Sequence, residues 1–121
     1  MNKEFLNRII CGDGVDILKQ IETSSVDFIL SSPPYDTLRS YKGAITDKIY
    51  DDHYSFPFVE MATELYRITK DGGIVVWVVN DQVINGGESG NSFRQALKFQ
   101  EIGFKIYDTM IYQKNGWQIL T

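Results

Sequence analysis

Val26-Asp27-Phe28-Ile29-Leu30-Ser31-Ser32-Pro33-Pro34-Tyr35 is an apolar run that stops abruptly at Ser-Pro-Pro-Tyr. Residues 26–31 have the length and composition of a buried strand. A proline pushes the residue before it towards extended conformations, so Ser32 and Pro33 cannot begin a helix. Each proline lacks a backbone donor but keeps its carbonyl. The strand therefore ends in a stiff, acceptor-rich corner with an aromatic ring beside it.

Upstream, residues 8–11 read as a short strand ending at Gly12-Asp13-Gly14, and residues 15–21 as a short helix with Val15, Leu18 and Ile21 on one face. Downstream, the stretch from Ser32 to about Tyr54 is far longer than the usual connection of about 4–6 residues, which marks it as functional or disordered. Ser55 is a candidate N-cap with Pro57 early in the next helix, where Phe58, Ala62, Leu65 and Ile68 keep helical spacing and Gly72-Gly73 ends it. Residues 74–79 are a continuous β-branched and aromatic run, the pattern of a strand buried on both faces. A glycine-rich loop, 80–91, leads to a helix capped by Ser92, with Phe93, Ala96, Leu97 and Ile102 apolar and Gly103 closing it. Residues 104–113 read as another strand, and Asn115-Gly116 as a hairpin turn returning through 117–121.

Alternating strands and helices predict an α/β fold with a parallel sheet. Ligands bind such sheets beyond the carboxyl ends of the strands, where Asp13, Ser32, Asn80 and Asp81 are expected. Asp13 has a second reading as a cap on the helix beginning near Val15, and capping a turn is the favoured reading of Asp81.

Composition narrows the function. With 121 residues, 43% of them hydrophobic, the chain has material for one domain and a core. No apolar run approaches the roughly 20 residues of a membrane span. The start Met1-Asn2-Lys3-Glu4 has none of the features of a signal peptide. One cysteine, Cys11, excludes an internal disulfide and fits a reducing, cytoplasmic setting; inside an apolar strand it is expected to be buried and inert. His53 stands alone in a polar loop, so no metal site is expected. Sixteen acidic against 12 basic residues, with a pI near 4.9, count against a nucleic-acid surface. Arg39, Lys42 and Lys48 nevertheless cluster after the corner, either as phosphate contacts or as a solvated basic loop.

Ser32-Pro33-Pro34-Tyr35 resembles the catalytic motif of the amino-group DNA methyltransferases, the N4-cytosine and N6-adenine family that uses S-adenosylmethionine. The resemblance covers nearly the whole chain. Ile9-Ile10-Cys11-Gly12-Asp13, Leu18-Lys19-Gln20-Ile21 and Ser25-Val26-Asp27-Phe28-Ile29 are similar to the family's opening stretch. Glu64-Leu65-Tyr66-Arg67-Ile68-Thr69-Lys70-Asp71-Gly72-Gly73 and Ile74-Val75-Val76-Trp77-Val78-Val79 resemble its next block, although proline is more usual at Asp71. Ser92-Phe93-Arg94-Gln95-Ala96-Leu97, Ile102-Gly103-Phe104 and Asp108-Thr109-Met110-Ile111-Tyr112 look like a phage and bacterial subgroup, typical of restriction-modification.

The resemblance implies a Rossmann-like S-adenosylmethionine-dependent fold, present in part: residues 1–121 correspond to the N-terminal catalytic half. The family's glycine-rich Phe-x-Gly-x-Gly turn and its target-recognition region have no counterpart in these residues. Ser32, Pro33, Pro34 and Tyr35 take the catalytic roles, Gly12, Asp13 and Ser32 the cofactor side, Arg39, Lys42 and Lys48 the phosphates of double-stranded DNA. Serine at the first position leans towards cytosine N4. Two strands of the family's sheet would lie between residues 8–11 and 26–30, so if these 121 residues are the entire polypeptide, an unpaired apolar edge and self-association through it are expected. A methyltransferase for RNA or a protein amide is an alternative; it usually carries Asn in place of Ser32 and a glycine turn upstream of it, which is absent. A third reading is an inactive remnant that only binds DNA or a partner.

Overall fold

The computed structural model describes residues 1–34, 56–81 and 83–113. A single 3-10 turn, Lys3–Phe5, precedes helix α1 (Gly14–Leu18), strand β1 (Val26–Ser31), helix α2 (Phe58–Ile68) and strand β2 (Thr69–Trp77). Two short strands, β3 (Val83–Ile84) and β4 (Gly87–Glu88), form an antiparallel hairpin before helix α3 (Asn91–Ile102). β1 and β2 pair in parallel with Phe28 opposite Ile74 and Ser31 opposite Trp77, which gives the α/β arrangement expected from the alternation of elements.

α2 forms because Ala62, Leu65 and Ile68 recur at helical spacing, and all three are buried. They share a core with Phe99 of α3, against which Ile29, Val75 and Trp77 of the sheet pack. Phe99 is the hub of this layer. Its ring lies edge-on to Phe58, Trp77 and Phe104 with centroids 5.1, 5.2 and 5.4 Å away, contacts worth about 0.5–1.5 kcal/mol each beyond their burial.

Arg67 clamps α1 to α2. Its guanidinium donates to the backbone oxygens of Leu18 and Ile21, each at 2.8 Å, and to Glu64 Oε2 at 2.7 Å. The Leu18 carbonyl that ends α1, which also accepts the Ile21 N–H at 3.0 Å, and the Ile21 carbonyl in the turn after it are thereby tied to α2.

Several expectations are corrected. α2 stops at Ile68, not at Gly72-Gly73, because the backbone of Ser24 and Ser25 donates to the oxygens of Arg67 and Ile68 and draws the chain into the sheet at Thr69. The glycine pair lies in a bulge: β1 advances two residues, Val26 to Phe28, while β2 advances five, Thr69 to Ile74. Gly73 is required there, since a Cβ would stand 2.6 Å from Thr69 Cγ2 and 2.8 Å from the Lys70 oxygen. Ser92 is not the N-cap of α3; Gly90 holds that position, whereas Gly103 closes the helix as expected.

The strand at 74–79 was expected to be covered on both faces, and it is covered on one. Phe28 (57% exposed), Leu30 (64%) and Ile74 (53%) face outward. Residues 8–11 and 104–113 form no strand, because a strand needs a ladder partner and, among the described residues, β1 and β2 pair only with each other. For the same reason Cys11 is exposed instead of buried. The expected features at Ser55 and at 115–121 lie outside the described residues. Among the described residues no helix is long and apolar enough to cross a membrane.

Candidate active site

Parallel pairing brings the ends of β1 and β2 to one edge of the sheet. The ladder continues one step past Trp77, where the Val78 N–H donates to the Ser31 oxygen at 2.9 Å. The next residue of the first strand is Ser32, so the Ser-Pro-Pro corner emerges beside the 78–81 segment. Ser32 is exposed, Pro33 is buried and Pro34 is half-buried. The corner thus has a packed base and an accessible hydroxyl-bearing residue.

Trp77, opposite Ser31, braces this edge. Its indole N–H donates to Gln95 Oε1 at 2.9 Å, and its ring stacks in tilted contacts with Phe56 and Phe58, centroids 6.2 and 6.0 Å away. Neither Trp77 nor Gln95 was singled out from the sequence. A tryptophan ending a strand and a glutamine on a helix carry no local signal of meeting each other.

Asp81 holds the loop beyond β2. Its Oδ1 accepts from the Ser92 N–H at 2.8 Å and from the Ser89 hydroxyl at 3.3 Å, and its Oδ2 accepts from the Ser92 hydroxyl. This carboxylate satisfies an early N–H of α3 and sits where the helix dipole favours negative charge. Capping, the favoured reading of Asp81, is what the geometry shows. Between Asp81 and Ser92 the β3–β4 hairpin turns through Asn85 (φ 51°) and Gly86 (φ 80°). An Asn-Gly pair with both residues at positive φ is the favoured two-residue hairpin turn, and that signal was available in the sequence.

Asp13 is the N-cap of α1, with Oδ1 accepting from the Asp16 N–H at 3.1 Å. It is half-buried and follows no strand, because residues 8–11 are unpaired. Gly12 beside it is packed closely: a Cβ would come within 3.1 Å of Ile17 Cδ1. A carboxylate offers about four acceptor positions, so a cap can also accept from a hydroxyl or amino group. Tyr35, Arg39, Lys42, Lys48 and His53 lie outside the described residues. Among the described residues no group of three or more His, Cys, Asp or Glu is placed to hold a metal ion.

A parallel α/β sheet with a polar corner at the carboxyl ends of its strands has the architecture of the α/β proteins that bind ligands at that edge. Residues 26–120 match the family described as DNA methylase, and the chain belongs to that family. It is 52% identical over 98 residues to the orphan methyltransferase M.BamHII of Bacillus amyloliquefaciens, covering 81% of this chain and 33% of that protein. It is 31% identical over 85 residues to the type II methyltransferase M.BglII of Bacillus subtilis, covering 70% of this chain and 22% of the relative. Identity to the type II methyltransferase M.HpaI of Haemophilus parainfluenzae is 32% over 68 residues, covering 56% and 21%. The chain spans a third or less of the length of each of these relatives.

Proposed function

We propose that this chain carries the catalytic corner of a DNA methyltransferase that modifies the exocyclic amine of a flipped base, cytosine N4 in preference to adenine N6. The observation that carries the reading is the emergence of Ser32-Pro33-Pro34 from the last paired residue of β1, at the carboxyl edge of a parallel sheet.

The amine of a nucleobase is a weak nucleophile because its lone pair is delocalised into the ring. The Ser32 hydroxyl and the Pro33 carbonyl accept its two N–H bonds, favour pyramidal nitrogen and stabilise the positive charge that develops there. Nitrogen bonds to the methyl carbon as the carbon–sulfur bond breaks. The bonding electrons leave with sulfur, and a proton then departs from nitrogen. Tyr35 stacks on the base and recovers part of the roughly few kcal/mol that extrusion costs. Gly12, Asp13 and Ser32 form the cofactor side, with Asp13 accepting from the adenosine end. Arg39, Lys42 and Lys48 meet phosphates. Residues 1–121 are in this reading the N-terminal catalytic part of a domain whose glycine-rich cofactor turn and target-recognition region lie elsewhere.

The test is transfer of radiolabelled methyl groups to unmethylated DNA, followed by identification of the modified nucleoside. Label in N4-methylcytosine, lost in Ser32→Ala together with Pro33→Ala, is expected. Label in N6-methyladenine overturns the choice of base. Label in RNA or protein alone overturns the substrate.

A further inference from the structure

The carboxyl end of β2 is fastened to α3 at two points, and the Ser32 corner continues from the strand residue paired with it. Trp77 donates its indole N–H to Gln95 Oε1 at 2.9 Å, and further on Asp81 accepts from the Ser92 N–H at 2.8 Å. Between them the Val78 N–H donates to the Ser31 oxygen at 2.9 Å. In a parallel ladder one strand's donors towards a given neighbour fall on alternate residues, so the next after Ser31 is residue 33. That residue is proline and has no N–H. The ladder therefore ends at the Ser31–Trp77 pair, and the Ser32-Pro33-Pro34 corner takes its place relative to the sheet from that last bond.

Packing alone does not call for tryptophan at this position. Its neighbours are the rings of Phe56, Phe58 and Phe99, with centroids 6.2, 6.0 and 5.2 Å away, an apolar setting that phenylalanine would also fill. What the indole adds is one donor, aimed at the half-buried side chain of Gln95. We infer that Trp77 and Gln95 are positioning residues for the reaction. Their bond fixes the rotation of the indole and with it the end of β2, and through Val78 and Ser31 it sets where Ser32 and Pro33 hold their oxygens. The inference rests on the methyltransferase reading above. Asp81 and Ser92 close the far end of the same segment, so the first turns of α3 brace it at both ends.

The test compares Gln95→Leu, Trp77→Phe and Gln95→Glu in the 121-residue chain, with Gln100→Leu, on the exposed side of α3, expected to match the parent throughout. Amide hydrogen exchange reads the coupling without any reaction. The Val78 N–H should exchange about 10-fold faster in Gln95→Leu and Trp77→Phe, with the amides of Ala62 and Leu65 in the core of α2 unchanged. Gln95→Glu keeps an acceptor for the indole and should restore protection, a rescue that general loosening of α3 would not give. In methyl transfer to DNA, Gln95→Leu and Trp77→Phe should lower kcat about 10-fold at unchanged KM for DNA and methyl donor, because only the geometry of the reacting groups is disturbed. Val78 exchange that moves only in step with Ala62 and Leu65 overturns the inference, as does a Gln95→Glu variant no better than Gln95→Leu. So does a higher KM at the parent's kcat. A parent chain that transfers no methyl group counts against the proposed reaction, and the exchange comparison then decides on its own whether the pair holds the corner.

Discussion

The two faces of the β1–β2 sheet are built from similar residues and have opposite fates. On one, Ile29, Val75 and Trp77 lie beneath α2 and α3; on the other, Phe28, Leu30 and Ile74 lie open. The difference comes from what crosses over the sheet. α2 connects β1 to β2 and α3 packs on α2, so both helices are spent on the same side. An apolar pattern on a strand thus records what a face is suited to meet, and the connectivity decides whether it meets it.

The largest test of this contrast is Phe99→Ala. It removes the hub of the covered layer and should cost about 3–5 kcal/mol in urea melts, enough to abolish cooperative unfolding in so small a core. Next is Arg67→Ala, which removes the guanidinium bonds to the Leu18 and Ile21 oxygens and should cost about 1–3 kcal/mol. Lysine at this position should not restore the loss, because one ammonium cannot reproduce the branched donor set. Asp13→Ala should cost about 1 kcal/mol through the lost cap, while Asp13→Asn should melt like the parent. Titrating S-adenosylmethionine into the asparagine variant therefore separates capping from cofactor binding: weakened binding at unchanged stability assigns the carboxylate to the cofactor. Smallest is Leu30→Ser in the isolated chain, expected within about 0.5 kcal/mol. A cost approaching that of Phe99→Ala would mean that the open face is already covered.

Much of this frame was legible in the sequence. β1 falls on the residues expected, since an apolar run stopped by Ser-Pro-Pro has few other conformations. α2 and Gly103 followed from helical spacing and a terminal glycine. The errors share one cause. Thr69 to Gly73 reads locally as a helix end, yet Val26 pairs with Thr69 across the fold and draws the segment into the sheet. Residues 8–11 and 104–113 read locally as strands, yet strand propensity expresses itself only against a neighbour. In the candidate site, the corner at Ser32 to Pro34 and the cap at Asp81 could be read from local rules. The bond from Trp77 to Gln95 could not, because the two residues meet only after α3 has packed.

The bulge opposite Asp27 has a further consequence. β2 uses five steps where β1 uses two, so three residues of slack are stored between Thr69 and Ile74. Because successive strand residues alternate sides, a one-residue deletion inside the ladder after Ile74 would turn Trp77 outward and send its neighbours into the helices. The same deletion taken from the slack would leave every later side chain on its own side, making this stretch a length buffer that shields the carboxyl edge of the sheet from changes in the helix before it.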